Sequence, residues 1–331
     1  MKIKGIYTPV VTPFRKNFEI DFGSLEEILK FLLKKKIHGI VVGGTTGEYF
    51  SLNFQERIQL FEFVKKIVGN KCQLIAGTTA INANEAIELS LIAKYLGYKC
   101  ILLGSPPYSQ PTQDESAQFF LKIAKKVQIP IMMYNFPEKM AFEIKEPFLK
   151  KVMSNKFFTS IKHNSSNPAM IRHFASNYPS LQIACGNDLQ FLEFCSWGSE
   201  SWVGGMSNCF PQLHIEIYKN VIINKNFDKA KDKLLKLKQI IDYVISIGKY
   251  TQSVKFIMKE LGLCNELCRP PYLTLNIDEK KKVKKYLNLI LHKGLSGQKN
   301  SYRYLLERDW SKKFKKKYSI TFNSCTSALH T

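Results

Sequence analysis

The chain has 331 residues, more than the roughly 100–200 of one average domain, and an α/β barrel of about 250 residues with additions fits that length. Apolar residues make up 45% of it but never form a run of about 18, so no membrane-spanning helix and no membrane partner are expected. The formal net charge of +22 admits a nucleic-acid partner, yet the lysines scatter over helical stretches (Lys34 to Lys36, Lys65 and Lys66, Lys125 and Lys126, Lys280 to Lys285) without an aromatic-interleaved ribbon; solvated helix faces are preferred, no nucleic acid is expected, and the field attracts small anions.

In chain order, the opening MKIKGIYTPVVTPF carries Pro9 and Pro13 inside its apolar run and no small-residue cleavage site, which argues against a secretory signal and for a cytoplasmic protein. Short apolar runs then alternate with amphipathic stretches. GIYTPVVTPF precedes SLEEILKFLLKKK, GIVVGG precedes NFQERIQLFEFVKKIV, and QLIAG precedes NANEAIELSLIAKYL. CILLGS, IPIMMYN, FFTSIK, LQIACG and SWVGG follow, each with its own helical partner, making eight pairs. Near-continuous apolar strands belong to a parallel sheet covered on both faces, and eight pairs in about 220 residues is the count of a (β/α)8 TIM barrel rather than a doubly wound sheet. Asp21 or Ser24 caps the first helix, with Glu27 at capping-box spacing from Ser24; Asn53 with Glu56 and Asn82 with Glu85 repeat the pattern.

Three further helices, NFDKAKDKLLKLKQIIDYVISIG, QSVKFIMKELGL and DEKKKVKKYLNLILHKG, form a C-terminal helical appendage. The expected division is a barrel over 1–225, the helical region over 226–293 and a basic tail over 294–331. The eight cysteines include no CxxC pair, and Cys264 and Cys268 lack histidine partners at zinc spacing, so all are expected to be buried thiols and no metal site is expected.

A barrel enzyme does its chemistry at the C-terminal ends of the strands. Residues there are Thr45 and Thr46 after strand two, Tyr108 after strand four, Tyr134 and Asn135 after strand five, Lys162 after strand six, Gly186 after strand seven, and Gly204 and Gly205 after strand eight. Lys162 ends a buried strand; desolvation there pushes an amine down from about 10.4 toward neutrality, giving the free base that attacks a carbonyl, whereas a solvated surface lysine is the alternative. Gly43 to Glu48 let the backbone approach an anion, with two hydroxyls to hold a carboxylate; a tight turn also shows such glycines. The run lacks both the phosphate-loop and the dinucleotide spacing. Tyr134 supplies a phenol that passes protons, or is a core amphiphile.

These residues, in this order, resemble the dihydrodipicolinate synthase / N-acetylneuraminate lyase superfamily of class I aldolases from about Lys4 to Leu291. The motifs that carry the resemblance are GIYTPVVTPF, GGTTGE, PPYSQPTQ, YNFP, IKHNSS, GND and LGLCNELCRPPY. It implies a lyase in which Lys162 forms a Schiff base with a 2-keto acid, Tyr134 acts as general acid and base, and Thr45 and Thr46 hold the keto-acid carboxylate, Thr45 also relaying protons. It implies that Tyr108 crosses a dimer interface to complete the neighbouring site in a homotetramer, and that Gly186 and Val203 border the bound keto acid. No cofactor is implied; the partners are a 2-keto acid, an aldehyde and further copies of the chain.

Three departures stand out. Lys139 in YNFPEKMAF replaces an arginine that clamps the second substrate's carboxylate, keeping the charge but losing the bidentate fork. Ala141 replaces a glycine, and His163-Asn164-Ser165-Ser166 replaces a segment with an acidic residue. Phe54, Arg57, Pro107 and Ile81 replace the residues of a lysine-inhibition pocket of which Glu85 remains, so no feedback inhibition by lysine is expected.

Three functions follow: condensation of pyruvate with an aldehyde such as aspartate semialdehyde, release of pyruvate from a sugar acid, or a non-catalytic binding protein on the same fold. Keeping Lys162, Tyr134, Tyr108 and Thr45 together argues against the last. From about Tyr302 the tail YRYLLERDWSKKFKKKYSITFNSCTSALHT resembles the opening of pyridoxal-phosphate-dependent nucleotide-sugar aminotransferases, with Cys325 where those have glycine. The lysine that binds that cofactor lies far downstream in such enzymes and is absent here, so no aminotransferase activity is expected; a partly disordered basic tail is the alternative.

Overall fold

The computed structural model describes residues 2–164, 167 and 169–292. The tail beyond 292, with its aminotransferase-like motif, and Ser165 and Ser166 lie outside the described residues.

Eight strands, β1 (Gly5–Pro9), β2 (Gly39–Val42), β3 (Gln73–Gly77), β4 (Cys100–Gly104), β5 (Ile131–Asn135), β6 (Phe158–His163), β7 (Gln182–Cys185) and β8 (Ser201–Trp202), close in sequence order. Every neighbouring pair is parallel, and β8 pairs back to β1 through Gly5 with Ser201 and Ile6 with Trp202. The fold is the expected (β/α)8 barrel. Strands β1, β2, β4 and β5 are buried along their whole length, which is why they read as unbroken apolar runs instead of alternating ones.

The helices are α1 (Phe22–Lys34), α2 (Phe54–Val68), α3 (Ala83–Tyr95), α4 (Gln113–Val127), α5 (Pro137–Met140), α6 (Glu146–Val152), α7 (Ala169–Asn177), α8 (Phe191–Ser196), α9 (Pro211–Tyr218), α10 (Phe227–Ser246), α11 (Tyr250–Glu260) and α12 (Ile277–His292). In α1, Leu25, Ile28, Leu29 and Leu32 repeat at helical spacing and are buried. At about 1.5–3 kcal/mol each, that stripe contributes up to roughly 6–12 kcal/mol to holding the helix on the sheet. Its cap is Asp21, which accepts from the Ser24 amide at 3.1 Å, and Ser24 sits inside the helix; the alternative cap at Ser24 is corrected. Asn53 and Glu56 form a reciprocal capping box, as do Thr112 and Glu115 on α4.

The described residues up to 276 form one compact unit that includes α10 and α11, and α12 belongs to a second. No described helix is long and apolar enough to cross a membrane. All seven described cysteines are free; Cys100, Cys185, Cys209 and Cys268 are buried, but Cys72, Cys195 and Cys264 are only half-buried, which corrects the expectation that every thiol is interior.

Candidate active site

The C-terminal ends of the strands surround a cavity of about 490 Å³. Thr45 and Thr46 line it from the loop after β2, Tyr134 and Lys139 from β5 and the helix after it, Lys162 from β6, Gly186 from the end of β7, and Val203 from the end of β8. Seven of the eight residues given a catalytic or substrate-binding role therefore share one cavity; Gly205 lines it too, whereas Asn135 and Gly204 do not. Tyr108 does not: it lies outside in a left-handed turn (φ 75°), with 89% of its surface exposed in the protomer.

The centre is Lys162, 7% exposed. Burial pulls its pKa down to about 8, partly opposed by the carboxylate of Asp188 and the thiol of Cys185. Its Nζ sits 4.6 Å from the centroid of the Tyr134 ring, and parallel pairing of β5 with β6 sets those two residues side by side. Burial drives the Tyr134 phenol well above its ordinary value, while a 3.4 Å contact with the Thr45 hydroxyl works in the other direction. The amine, phenol and hydroxyl thus lie in sequence along one wall of the cavity.

Local sequence explains why that chain is held still. Asn135 accepts from the Ile144 amide at 3.0 Å and its amide nitrogen meets His163 Nδ1 at 3.0 Å, tying the loop after β5 to the end of β6. His163 stays neutral, because burial pushes its pKa down to about 4. Gly186 permits the close approach at β7: a Cβ there would lie 2.8 Å from the His163 carbonyl oxygen and 3.1 Å from Lys162 Cε. Ala141, at φ 49°, takes the left-handed conformation that glycine adopts without strain.

The loop carrying Thr45 and Thr46 is a 3-10 turn whose next residue, Glu48, is left-handed at φ 56°. A left-handed non-glycine residue costs roughly 1–2 kcal/mol, and Glu48 is held there by an ion pair to Lys255 of α11 in which both side chains are fully buried. Lys255 also donates to the Leu267 carbonyl at 2.8 Å, and Glu48 accepts from the Arg269 amide at 3.0 Å. The same α11 brings Tyr250, Thr251 and Gln252 to the cavity wall.

Sequence reasoning quoted GGTTGE and GND but gave Glu48 and Asp188 no role of their own. Asp188 lines the cavity, is 6% exposed, accepts from the Tyr250 hydroxyl and lies 3.8 Å from His214 Nε2. Its signal was its place directly after β7; its partners come from α9 and α11, too distant in sequence to be read from spacing. Among the described residues no cluster of three or more His, Cys, Asp or Glu side chains is placed to hold a metal ion.

Comparison with known proteins agrees with this architecture. The chain is 31% identical over 292 residues to a 4-hydroxy-tetrahydrodipicolinate synthase of Hydrogenobaculum sp. (strain Y04AAS1), covering 87% of this chain and 100% of that one. It is 32% identical over 236 residues to the enzyme of that name from Methanocaldococcus jannaschii, covering 71% and 80%. The solved 4-hydroxy-tetrahydrodipicolinate synthase of Methylacidiphilum fumariolicum SolV superposes with a TM-score of 0.84 at 30% identity, covering 88% of this chain and 97% of that chain. Residues 2–290 match the family described as the dihydrodipicolinate synthetase family, and the chain is a lyase that belongs to it.

Proposed function

We propose that the chain joins a 2-keto acid, most simply pyruvate, to an aldehyde through a Schiff base on Lys162, giving a 4-hydroxy-tetrahydrodipicolinate-type product when the aldehyde is aspartate semialdehyde. The observation that carries this reading is a buried amine with its pKa near 8, packed on the Tyr134 ring. With its pKa near 8 about a tenth of it is the free base at pH 7, far more than for a solvated lysine, and its lone pair attacks C2 of the keto acid. The carbonyl oxygen takes a proton through Tyr134 and leaves as water, so carbinolamine becomes iminium. Loss of a C3 proton gives an enamine, whose carbon attacks the aldehyde carbon while the aldehyde oxygen is protonated. With aspartate semialdehyde, the substrate's own amino group then attacks C2 of the new iminium, closing the ring as the C2–N bond to Lys162 breaks and its proton passes to the leaving lysine amine. With an aldehyde that carries no amine, water takes that place and frees Lys162 with an open-chain keto acid. Thr45 and Thr46 hold the carboxylate, Gly186 and Val203 border the bound acid, and Asp188 is the buried carboxylate facing the cation formed on Lys162.

In this reading Tyr108 serves a neighbouring protomer in a homotetramer, consistent with its position outside its own cavity. No cofactor takes part, and a soluble cytoplasmic setting suits the substrates. One observation favours the sugar-acid alternative: Lys139 stands where a guanidinium fork would grip a second carboxylate, and the amides of Asn164, Asn187 and Gln190 line the cavity, with Gln190 Oε1 buried and unpaired.

Borohydride reduction in the presence of pyruvate, followed by peptide mass spectrometry, tests the mechanism: the adduct is expected on Lys162, and an unmodified Lys162 overturns it. The trapping rate should climb with pH through about 8 as ammonium becomes amine. Asp188→Asn removes a carboxylate that stabilises the ammonium, so the midpoint should fall; an upward move contradicts this electrostatic assignment. An aldehyde screen on the same preparation separates the two substrate readings.

Lysine is expected not to inhibit. Arg57 is buried, donates to the Gly77 carbonyl at 2.9 Å and to Glu85 at 3.3 Å, and lies 5.3 Å from the centroid of the Tyr49 ring, so Glu85 is already engaged by the chain's own guanidinium. Inhibition at micromolar to low-millimolar lysine in a steady-state titration would refute this.

A further inference from the structure

At the end of the barrel opposite the active-site cavity, a second hollow of about 430 Å³ opens between the C-terminus of α1 and the N-terminal ends of β1, β2 and β3. Its polar lining is Lys4, Lys36, His38, Lys71 and Gln73. Lys4 precedes β1, His38 precedes β2 and Gln73 opens β3, so this is the face where barrel residues serve stability and not the family's chemistry.

What distinguishes the hollow is that its side chains offer only donors. His38 Nδ1 accepts from the Ile6 amide at 3.1 Å, which leaves the ring proton on Nε2 as a donor. The acceptor oxygen of Gln73 is taken by the Tyr7 hydroxyl, leaving its NH2 group. The three lysines are donors throughout. Carbonyls at the end of α1 are also used: Leu33 accepts from the Lys36 amide at 2.9 Å and Leu32 from the Ile37 amide at 3.3 Å.

Charge points the same way. Lys4 pairs with Glu200 at 2.6 Å, but Glu200 does not line the hollow, and Lys36 has no carboxylate partner among the described residues. Burial, and after it the ammonium of Lys219, lower the pKa of His38, so a further positive charge acts on this lining residue. A hollow lined by donors and cations is complementary to acceptors that carry negative charge. Its volume falls within the about 300–1,000 Å³ of small-molecule pockets, larger than a single ion needs.

We propose that this hollow binds a small oligoanion bearing phosphoryl groups, at a site separate from the catalytic cavity. The test is calorimetric titration of the full chain with inorganic tripolyphosphate. Saturable binding of one anion per chain is expected. The variant Lys36→Ala/Lys71→Ala should weaken it by about tenfold or more, since it removes two of the three ammonium groups that line the hollow. Lys122→Ala/Lys126→Ala, which removes the same charge from the exposed face of α4, should change it by less than about twofold. Gln73→Glu, which keeps an acceptor for Tyr7 but places a carboxylate in the hollow, should abolish it. Absence of saturable binding, equal weakening in both double variants, or full affinity in Gln73→Glu would overturn the proposal, the first two by showing only the general pull of a chain of net charge +22.

Discussion

Lys162→Met is expected to lower kcat/KM for the keto-acid reaction by at least about 10³-fold, roughly 4 kcal/mol of transition-state stabilisation at about 1.4 kcal/mol per decade, and to abolish borohydride trapping. Methionine keeps an unbranched stem in a site only 7% exposed, so the packing around β6 survives while the nucleophile is lost. Lys162→Arg separates nucleophile from charge, because a guanidinium stays protonated and cannot form the imine; it should be as inactive as the methionine variant. Tyr134→Phe keeps the ring beneath Nζ, 4.6 Å from its centroid, and removes only the hydroxyl that meets Thr45 at 3.4 Å. Its loss should be smaller, about 10²-fold, the low end of what a positioned proton donor contributes, with the adduct still forming slowly. Circular dichroism and melting curves of all three should match the parent. A well-folded Lys162→Met chain that retains turnover would remove the amine from the mechanism.

The barrel was legible because burial on both sheet faces leaves a plain mark: GIVVGG and CILLGS could only be interior strands. The eighth strand shows the limit, since only Ser201 and Trp202 keep ladder geometry before the chain turns away at Gly204. Position after a strand was enough to collect Thr45, Thr46, Tyr134, Lys162 and Gly186, because parallel strands in register deliver those places to one rim, while Lys139 and Val203 came from the family resemblance. It could not show that Tyr108 leaves that rim, a matter of a left-handed turn in the loop after β4. Nor could it pair Glu48 with Lys255, or Asp188 with Tyr250 and His214. The first of those contacts joins residues across most of the chain and the others join separate elements, and a buried lysine in so basic a sequence resembles any other lysine until its surroundings are known.

Lys255→Met is expected to be the most destabilising single change outside the cavity. Glu48 and Lys255 are both fully buried, and Lys255 lies 4.2 Å from the centroid of the Phe14 ring. Methionine fills the stem's volume but leaves the Glu48 carboxylate without its counter-charge; breaking one side of a buried pair costs about 3–5 kcal/mol. At roughly 2–4 °C per kcal/mol for a unit of this size, the melting temperature should fall by roughly 6–20 °C. The double variant Glu48→Gln/Lys255→Met removes the stranded charge and should recover more than half of that loss. Because the pair links the Thr45–Thr46 loop to α11, the single variant should also raise KM for the keto acid more than it lowers kcat, the signature of a loosened carboxylate site with Lys162 and Tyr134 intact. A Lys255→Met chain that melts with the parent and keeps its KM would show that the loop is held by the 3-10 turn alone, and that the ion pair is only a tolerated burial of charge.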